Sequence, residues 1–479
     1  MIPARLLQEC ADELAPLLAI ICNKSLQTGT VPQDWKQANV SAVFKKGQRY
    51  DPSNYRPVSL TCLCCKIMEH VIVSKVMKHV DNYRILSDCQ HGFRARRSCE
   101  TQLVTLVHEL ATSLDKGIQT DMIILDFSKA FDRVPHQRLL KKLDHYGIRG
   151  NVHNWITSFL TGRSQRVDAE GATSDSIPVI SGVLQGSVLG PLLFLLFIND
   201  LPDKLNSQAR LFADDCIVYR PIRDMEDCKT LQEDLSTLAE WERKWGMEFH
   251  PQKCNILSVT RARSPIQHPY VLKGHLLELQ DSSKYLGVDL QASLSWKNHI
   301  DRVTKKANST LGFLRRNLKI ASEEAKSTAY FSMVRTNLEY CCSVWNPHHK
   351  EQIKKIEMVQ RRAARYITHR YRNTSHVSSM LQHLQWESLE SRRSKIQLIL
   401  FYKVVHDLID IQAPDYLTPA SGRTRSTHSK KFRQFSTSTD SLKFSFFPRT
   451  VPLWNSLPAT VAEAPSLASF RRELASISI

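Results

Sequence analysis

The feature that most constrains this chain is the nonapeptide LFADDCIVY, residues 211–219, where two adjacent carboxylates interrupt an apolar run. The apolar flanks read as two short strands and the acids as the tight turn between them. Asp favours turns, and on that ground alone the pair needs no function. Yet uncompensated neighbouring acids between apolar strands repel each other and gain nothing from burial, so a cation is their natural neutraliser. A third acid shifts the balance. Asp126 ends the strand-like DMIILDF, residues 121–127, just before a small polar residue and a helix. A carboxylate at a strand's end, beside a hairpin that presents Asp214 and Asp215, can assemble three acids around one site. Hard divalent cations such as Mg2+ take oxygen ligands, usually one or two carboxylates plus waters and substrate phosphates. Two such ions ~3.5–4 Å apart activate an attacking hydroxyl and stabilise a leaving phosphate oxygen. That is the chemistry of nucleotidyl transfer.

Around these acids the hydrophobic periodicity predicts a mixed chain. Leu6, Leu7, Cys10, Leu14, Leu17, Leu18 and Ile21 recur at helical spacing over 4–26, and Gly29 and Pro32 end that helix. Two strands, ANVSAVF and PVSLTCL, follow, joined by the basic turn KKGQRYDPSNYR. Helices are predicted over 66–80 and 99–115, the second capped by Ser98, then near 135–146 and 151–160. After a polar stretch, SGVLQGSVLG leads into a helix with Pro191 in its first turn. A long helix over 225–245, the strand NILSVT and a hairpin at SKYLGVDL close the central part. Helices over 300–318 and 353–371 then carry one apolar face and many basic residues. The Ser/Thr-rich basic segment 421–445 reads as a loop or linker.

Charge narrows the partner. With 65 Lys and Arg against 47 Asp and Glu the chain carries +18, and a polyanion such as nucleic acid is the commonest partner of a large basic enzyme. Residues 341–479 hold 21 Lys and Arg against 10 Asp and Glu, hence +11 of that excess. At 479 residues with 42% hydrophobic content the chain is a folded protein of several domains. It is neither a peptide hormone nor an isolated zinc finger. Twelve cysteines, with CxxC spacing only at Cys62 and Cys65 and no second such doublet, point to a reduced compartment rather than a disulfide scaffold, and Cys341, Cys342, His348 and His349 fit zinc spacing poorly. Acidic residues near the N-terminus argue against a secretion signal. The longest apolar run, Val188–Ile198, falls short of the ~20 residues that span a bilayer. An intracellular protein, nuclear or cytoplasmic, with no membrane partner is expected.

An ordered set of blocks, NYRPVSL (54–60), QHGFRARRSCETQL (90–103), LDFSKAFDRVPH (125–136), SGVLQGSVLGPLLFLLFINDLP (181–202), FADD (212–215), WGMEFHPQKC (245–254) and YLGV (285–288), resembles the reverse transcriptase of non-LTR retrotransposons. The likeness is to LINE-type elements of the jockey and CR1 kind, and it covers roughly residues 1–340. It implies an α+β right-hand polymerase with an antiparallel palm sheet. The corresponding divisions are an N-terminal helical extension (1–37), fingers (38–120), palm with an interleaved fingers segment (121–290), thumb (291–340) and a basic C-terminal region (341–479).

Residue by residue, the resemblance makes Asp126 and Asp214 the principal ligands of two Mg2+ ions, with Mn2+ as a substitute. Asp215 supports the site, and the Phe127 carbonyl is a further ligand. Phe131 matches the steric gate that would clash with a 2′-hydroxyl; most Phe are core filling, and only the motif favours the gate. Gln185 and Gly186 match the loop lining the nucleotide and template pocket. Lys45 and Arg56 match finger residues that grip the incoming triphosphate, where a forked guanidinium suits phosphate oxygens. Arg94 and Arg97 are looser candidates for that task or for template contact, with solvated surface charge as the equal alternative. Lys253 matches a lysine that protonates departing pyrophosphate. Lys305, Lys306, Arg315 and Arg316 would grip primer–template phosphates, a contact that weakens with salt. Asp132 and Asp200 read as structural, and Trp296, Trp345 and Trp386 as core.

The expected activity is thus RNA-directed DNA polymerisation on an RNA template and DNA primer with dNTPs. The endonuclease commonly encoded upstream in such elements has no counterpart here, so nicking is not expected of this polypeptide. Two alternatives stand beside that expectation. One is a catalytically inactive nucleic-acid-binding remnant; the other is an RNA-synthesising palm enzyme, against which Phe131 argues.

Overall fold

The computed structural model describes residues 2–169, 171–372, 376–420 and 428–477. Its main strands, in chain order, are β1 (Gln37–Phe44), β2 (Tyr55–Leu60), β3 (Gln119–Leu125), β4 (Arg163–Ala169), β5 (Ala172–Thr173), β6 (Ile177–Val179), β7 (Gln208–Phe212), β8 (Asp215–Ile222) and β9 (Asn255–Val259). They form two sheets. In the first, β1 pairs antiparallel with β2 and parallel with β4, which also holds β5 and β6. In the second, β9, β3, β8 and β7 lie side by side, all antiparallel, and Glu278–Leu279 adds parallel to β9.

The second sheet is buried on both sides, which explains why β3 reads as a nearly unbroken apolar run. Successive side chains of a strand point to opposite faces. Met122, with Ile217 and Tyr219 of β8 and Leu257 and Val259 of β9, packs in one core with Leu103, Leu106 and Leu110 of the helix Cys99–Asp115. Ile123 and Leu125, with Cys216, Val218 and Ile256, pack in the other with Leu193 and Leu196 of Leu189–Ile198 and Leu235 and Leu238 of Met225–Trp245. A one-residue slip of β3 would exchange the two sets and place the buried Asp121, which accepts from Ser258 Oγ and Tyr270 Oη, in the wrong core.

The first core continues far beyond the sheet. It takes in Leu311 and Leu314 of the helix Lys297–Asn317, then Trp345, Phe401, Phe446, Trp454 and Phe470. The basic C-terminal region is therefore built onto the same apolar mass as the helix Cys99–Asp115. On its helix Lys350–Thr368, Ile356, Val359, Ala363 and Ile367 are buried while Arg361 and Arg362 are exposed, whereas Arg393 farther along is fully buried. Of the segment 421–445 read as a loop, residues 421–427 lie outside the described residues. The remainder is largely irregular but packed, because Asp115 accepts from Ser438 N and Thr439 N and the Trp454 indole donates to Lys430 O.

Three sequence expectations need correction. The N-terminal helix is two, Ala4–Glu9 and Ala11–Thr28, broken at Cys10. Its apolar stripe is only partly used: Leu7, Leu18 and Cys22 pack on the second core, whereas Leu17, Ile20 and Ile21 are exposed. The polar stretch 161–180 contains β4, β5 and β6, which extend the β1–β2 sheet. These strands lack apolar alternation because they are mostly exposed; the buried Arg163, donating to Phe159 O and Trp35 O, anchors them. None of the twelve cysteines is in a disulfide, and among the described residues no helix is long and apolar enough to cross a membrane.

The helix Cys99–Asp115 joins the sheet to both the helix Lys297–Asn317 and the C-terminal part, and its N-terminus is closed by a capping box. Thr101 N donates to Ser98 Oγ at 3.2 Å and Ser98 N to Thr101 Oγ1 at 2.9 Å. Ser98→Ala removes one of these bonds and is expected to lower unfolding stability by about 1 kcal/mol, measured as a reduced urea midpoint at unchanged slope.

Candidate active site

The β3–β8 ladder runs from Gln119 opposite Ile222 to Leu125 opposite Cys216. The next step brings Asp126 abreast of Asp215, and alternation puts both on the face of Met122, Ile124, Ile217 and Tyr219. Helix Cys99–Asp115 covers the deep part of that face, and the acids stand at its end. Phe212 pairs with Asp215, so the β7–β8 hairpin turns on two residues, Ala213 and Asp214. Asp126 is fixed from the other side as well. Its carbonyl accepts from His250 N at 2.8 Å, its amide donates to Cys254 Sγ at 3.5 Å, and Lys253 Nζ lies 3.4 Å from Oδ2. The bridge between Phe127 and Phe249 is made through Asp126 O and Ser128 N, which leaves the Phe127 carbonyl outside that ladder.

The electrostatics reflect this convergence. Burial first, and then the Asp126 charge, push the Asp214 carboxyl above its ordinary range. Surrounding protein, Asp214 and Asp126 push Asp215 up to about 6, although its side chain reaches solvent. Arg56 and Lys45 act on both acids in the opposite sense. These two cations belong to β2 and to the residue after β1, so the β1–β2 hairpin faces its positive end to the acids. Among the described residues no three His, Cys, Asp or Glu side chains form a closed metal cage. The donor set suits Mg2+ instead, which takes one or two carboxylates and completes its shell with water and phosphate. Asp126 and Asp214 offer two such carboxylates, and their mutual repulsion is what a cation would relieve.

A second wall is formed by the segment 181–187. Val183 N donates to Phe131 O at 2.7 Å, Ser59 N to Gln185 O at 2.7 Å, and Gln185 Nε2 to Asp132 Oδ1 at 3.3 Å. Gly186, at φ +103°, lies so close to β2 that an added Cβ would come within 2.6 Å of Ser59 O. The half-buried Phe131 ring stacks on Phe194 with centroids 4.4 Å apart. Asp200 is held by Lys142 Nζ at 2.5 Å and the Trp241 indole at 2.9 Å, the structural role expected of it.

Arg94 and Arg97 are placed differently from expectation. Neither guanidinium is directed at the acids. Arg94 donates to Ser87 O, and the nearly buried Arg97 donates to Asp410, Asp88 and the Gln90 carbonyl. Lys305, Lys306, Arg315 and Arg316 are exposed on Lys297–Asn317, opposite the buried Ile300, Ala307 and Leu311, and none makes an ion pair among the described residues. Trp345 is fully buried, Trp386 stacks on Tyr330 and Trp296 packs against the first core, so all three are core.

Sequence reasoning missed two supports. The fully buried Glu69 accepts from Val188 N at 2.7 Å and Leu189 N at 2.9 Å, capping the helix that follows the 181–187 wall. Nothing in the sequence pairs a residue of Leu63–Asn82 with that helix. Gln90 and Gly92, which contact the Ala213 turn, stood within the block QHGF and were given no role.

The raised Asp215 value sets a sign for stability. An acid whose folded pKa lies above its unfolded one destabilises the fold when ionised, fully above the folded value of about 6, and not at all below the unfolded value. Asp215→Asn is therefore expected to raise the thermal midpoint of metal-free protein at pH 7.5, with the gain disappearing as pH falls toward 4. Mg2+ should raise the midpoint of the wild type at pH 7.5, and Asp214→Asn should reduce that shift. Calorimetric scans over pH, with and without Mg2+, check both.

Residues 43–290 match the family described as reverse transcriptase (RNA-dependent DNA polymerase). The chain is 31% identical over 371 residues to a probable RNA-directed DNA polymerase from transposon BS of Drosophila melanogaster, covering 73% of this chain and 40% of that protein. It is 30% identical over 373 residues to the RNA-directed DNA polymerase from mobile element jockey of the same species, covering 74% and 40%. The chain thus spans about 40% of the length of these relatives. Among solved structures, a telomerase from Candida tropicalis in complex with a fragment of telomeric RNA aligns with a TM-score of 0.46 at 12% identity, over 98% of this chain and 68% of that one.

Proposed function

This chain belongs to the reverse transcriptase (RNA-dependent DNA polymerase) family, and from that premise we propose that it extends a DNA primer on an RNA template with deoxynucleoside triphosphates. The observation that carries the reading is the placement of Asp126 abreast of the Asp214–Asp215 hairpin, with Lys45 and Arg56 facing the three acids. In the reaction the primer 3′-oxygen attacks the α-phosphorus, the bond to the β-phosphate oxygen breaks, and pyrophosphate leaves.

Asp126, Asp214 and the Phe127 carbonyl would hold two Mg2+ ions, which when bound supply Lewis acidity to the attacking and leaving oxygens. Lys45 and Arg56 bind the triphosphate, whose negative charge matches their position opposite the acids. Lys253, whose ammonium lies beside Asp126, donates the proton that the leaving pyrophosphate requires. Phe131, kept in place by Phe194 and by its own carbonyl's bond from Val183, excludes a 2′-hydroxyl. Gln185 and Gly186, tied to β2 and Asp132, line the base and template side. The exposed cations Lys305, Lys306, Arg315 and Arg316 contact phosphates of the primer–template without reading sequence.

Primer extension on an RNA template, with purified folded protein and Mg2+, tests the reading. Wild type is expected to yield DNA product, and Asp214→Ala to lower the rate at least a thousandfold while binding RNA with unchanged salt dependence. Lys253→Ala should reduce kcat by about 10²–10⁴-fold, and Phe131→Ala should admit ribonucleotides. Folded wild-type protein that binds RNA but makes no product would identify an inactive binding remnant instead.

A further inference from the structure

The turn carrying Asp214 is held by a side chain from far outside it. Ala213 adopts φ +54°, a left-handed conformation that residues with a Cβ seldom take without external support. Its amide donates to Gln90 Oε1 at 3.0 Å, and the same oxygen accepts from Gly92 N at 2.7 Å. Gln90 is 1% exposed. Its Nε2 has no partner among the described residues, so the acceptor oxygen and not the amide donor accounts for its placement. The backbone around Gln90 runs alongside β7, with His91 N bonded to Leu211 O and Leu211 N to Cys89 O, both at 2.8 Å. Gly92 completes the contact, since a Cβ there would collide with Ala213 N.

Gln90 is in turn held from behind. Arg97 Nη1 donates to Gln90 O at 2.8 Å, its Nη2 to Asp88 Oδ1 at 3.0 Å and its Nε to Asp410 Oδ2 at 2.5 Å. Asp410 N donates to Arg96 O at 3.0 Å, and Arg96 Nη2 to Asp407 Oδ1 at 2.6 Å. Asp407 and Asp410 lie more than a hundred residues beyond the matched family region, which ends at 290. Two acids of the C-terminal region therefore clamp the segment whose Gln90 carries the Ala213–Asp214 turn.

We propose that Gln90 is a positioning residue for the Ala213–Asp214 turn, and that Asp410, acting through Arg97, holds Gln90 in register, so that the C-terminal region sets the geometry of a metal-binding carboxylate. The inference rests on the polymerase reading of Asp214. It gives the C-terminal region a role in the chemical step separate from any grip on nucleic acid.

The test compares Gln90→Met, which keeps length and removes the acceptor, with Gln90→Glu, which keeps it, and with Asp410→Ala. Primer extension is measured over a Mg2+ titration, beside primer–template Kd and the Mg2+-induced thermal shift of each protein. Gln90→Met is expected to lower kcat by about 100-fold, the loss that follows a misplacement of ~1 Å. It should also raise the Mg2+ needed for half-maximal rate and leave Kd unchanged. Gln90→Glu should recover at least tenfold of that loss. Asp410→Ala should lower kcat by about 3–30-fold, the range of coupling carried through a packed network, and the double variant should lose no more than Gln90→Met alone. Unchanged kcat in folded Gln90→Met, additive losses in the double variant, or an Asp410→Ala defect confined to Kd would each overturn the proposal. If Gln90→Met does not fold, Asp410→Ala and Arg97→Lys decide, and unchanged kcat in both overturns it. A wild type that makes no product contradicts the polymerase reading itself; the Mg2+ thermal shift then decides positioning, which requires a smaller shift in Gln90→Met and Asp410→Ala than in wild type.

Discussion

Three carboxylates that repel one another are held together by the ladder between β3 and β8, and the rest of the site is arranged around that opposition. Left to themselves, Asp126, Asp214 and Asp215 would separate into water. The sheet prevents it because both of its faces are buried in large apolar cores, so the register cannot slip without exchanging the core sets. The energy of that burial is what keeps the Asp214 and Asp215 carboxyls above their ordinary range. A site so loaded favours cations, and Lys45, Arg56 and Lys253 stand around it as the protein's own.

The surrounding walls belong to different parts of the chain, and each is pinned by a small number of directional bonds. The 181–187 segment is tied to β2 through Ser59 and to the 131–134 segment through Phe131, Asp132 and Val134. Its following helix is capped by Glu69, which connects it to Leu63–Asn82. The hairpin is backed by Gln90 and, through Arg97, by Asp410. The C-terminal region shares its core with the helix Cys99–Asp115. Charge on that region therefore has two distinct settings. Arg361 and Arg362 face solvent, while Asp407, itself exposed, and the partly buried Asp410 pair with Arg96 and Arg97.

Much of this could be read from the chain because local physics and tertiary packing agree. Ser98 caps its helix as the residue type requires, LFADDCIVY forms the hairpin its apolar flanks demand, and Met225–Trp245 covers the span its periodicity marks. Reading failed where a residue's role depends on a distant partner. Arg94 and Arg97 look in the sequence like ligands for phosphate, since nothing local distinguishes a solvated arginine from one facing Asp410, 313 residues away. The strands β4, β5 and β6 escaped because an exposed strand carries no apolar alternation. Leu17 and Ile21 sit at helical spacing yet remain exposed, because periodicity marks a face without naming what covers it.

The sequence by itself determined that this chain has a mixed helix and strand fold, a hairpin bearing paired acids, a third acid at a strand end, and the ordered blocks of a reverse transcriptase. These follow from short-range preferences of residues and from spacing along one chain. Only the tertiary structure decided that Asp126 stands abreast of Asp215, that Gln90 and Gly92 support the Ala213 turn, and that the C-terminal region reaches back to the same segment. Those facts depend on contacts between residues scores to hundreds of positions apart, where the free energy of packing two buried cores, rather than any local propensity, selects the partner.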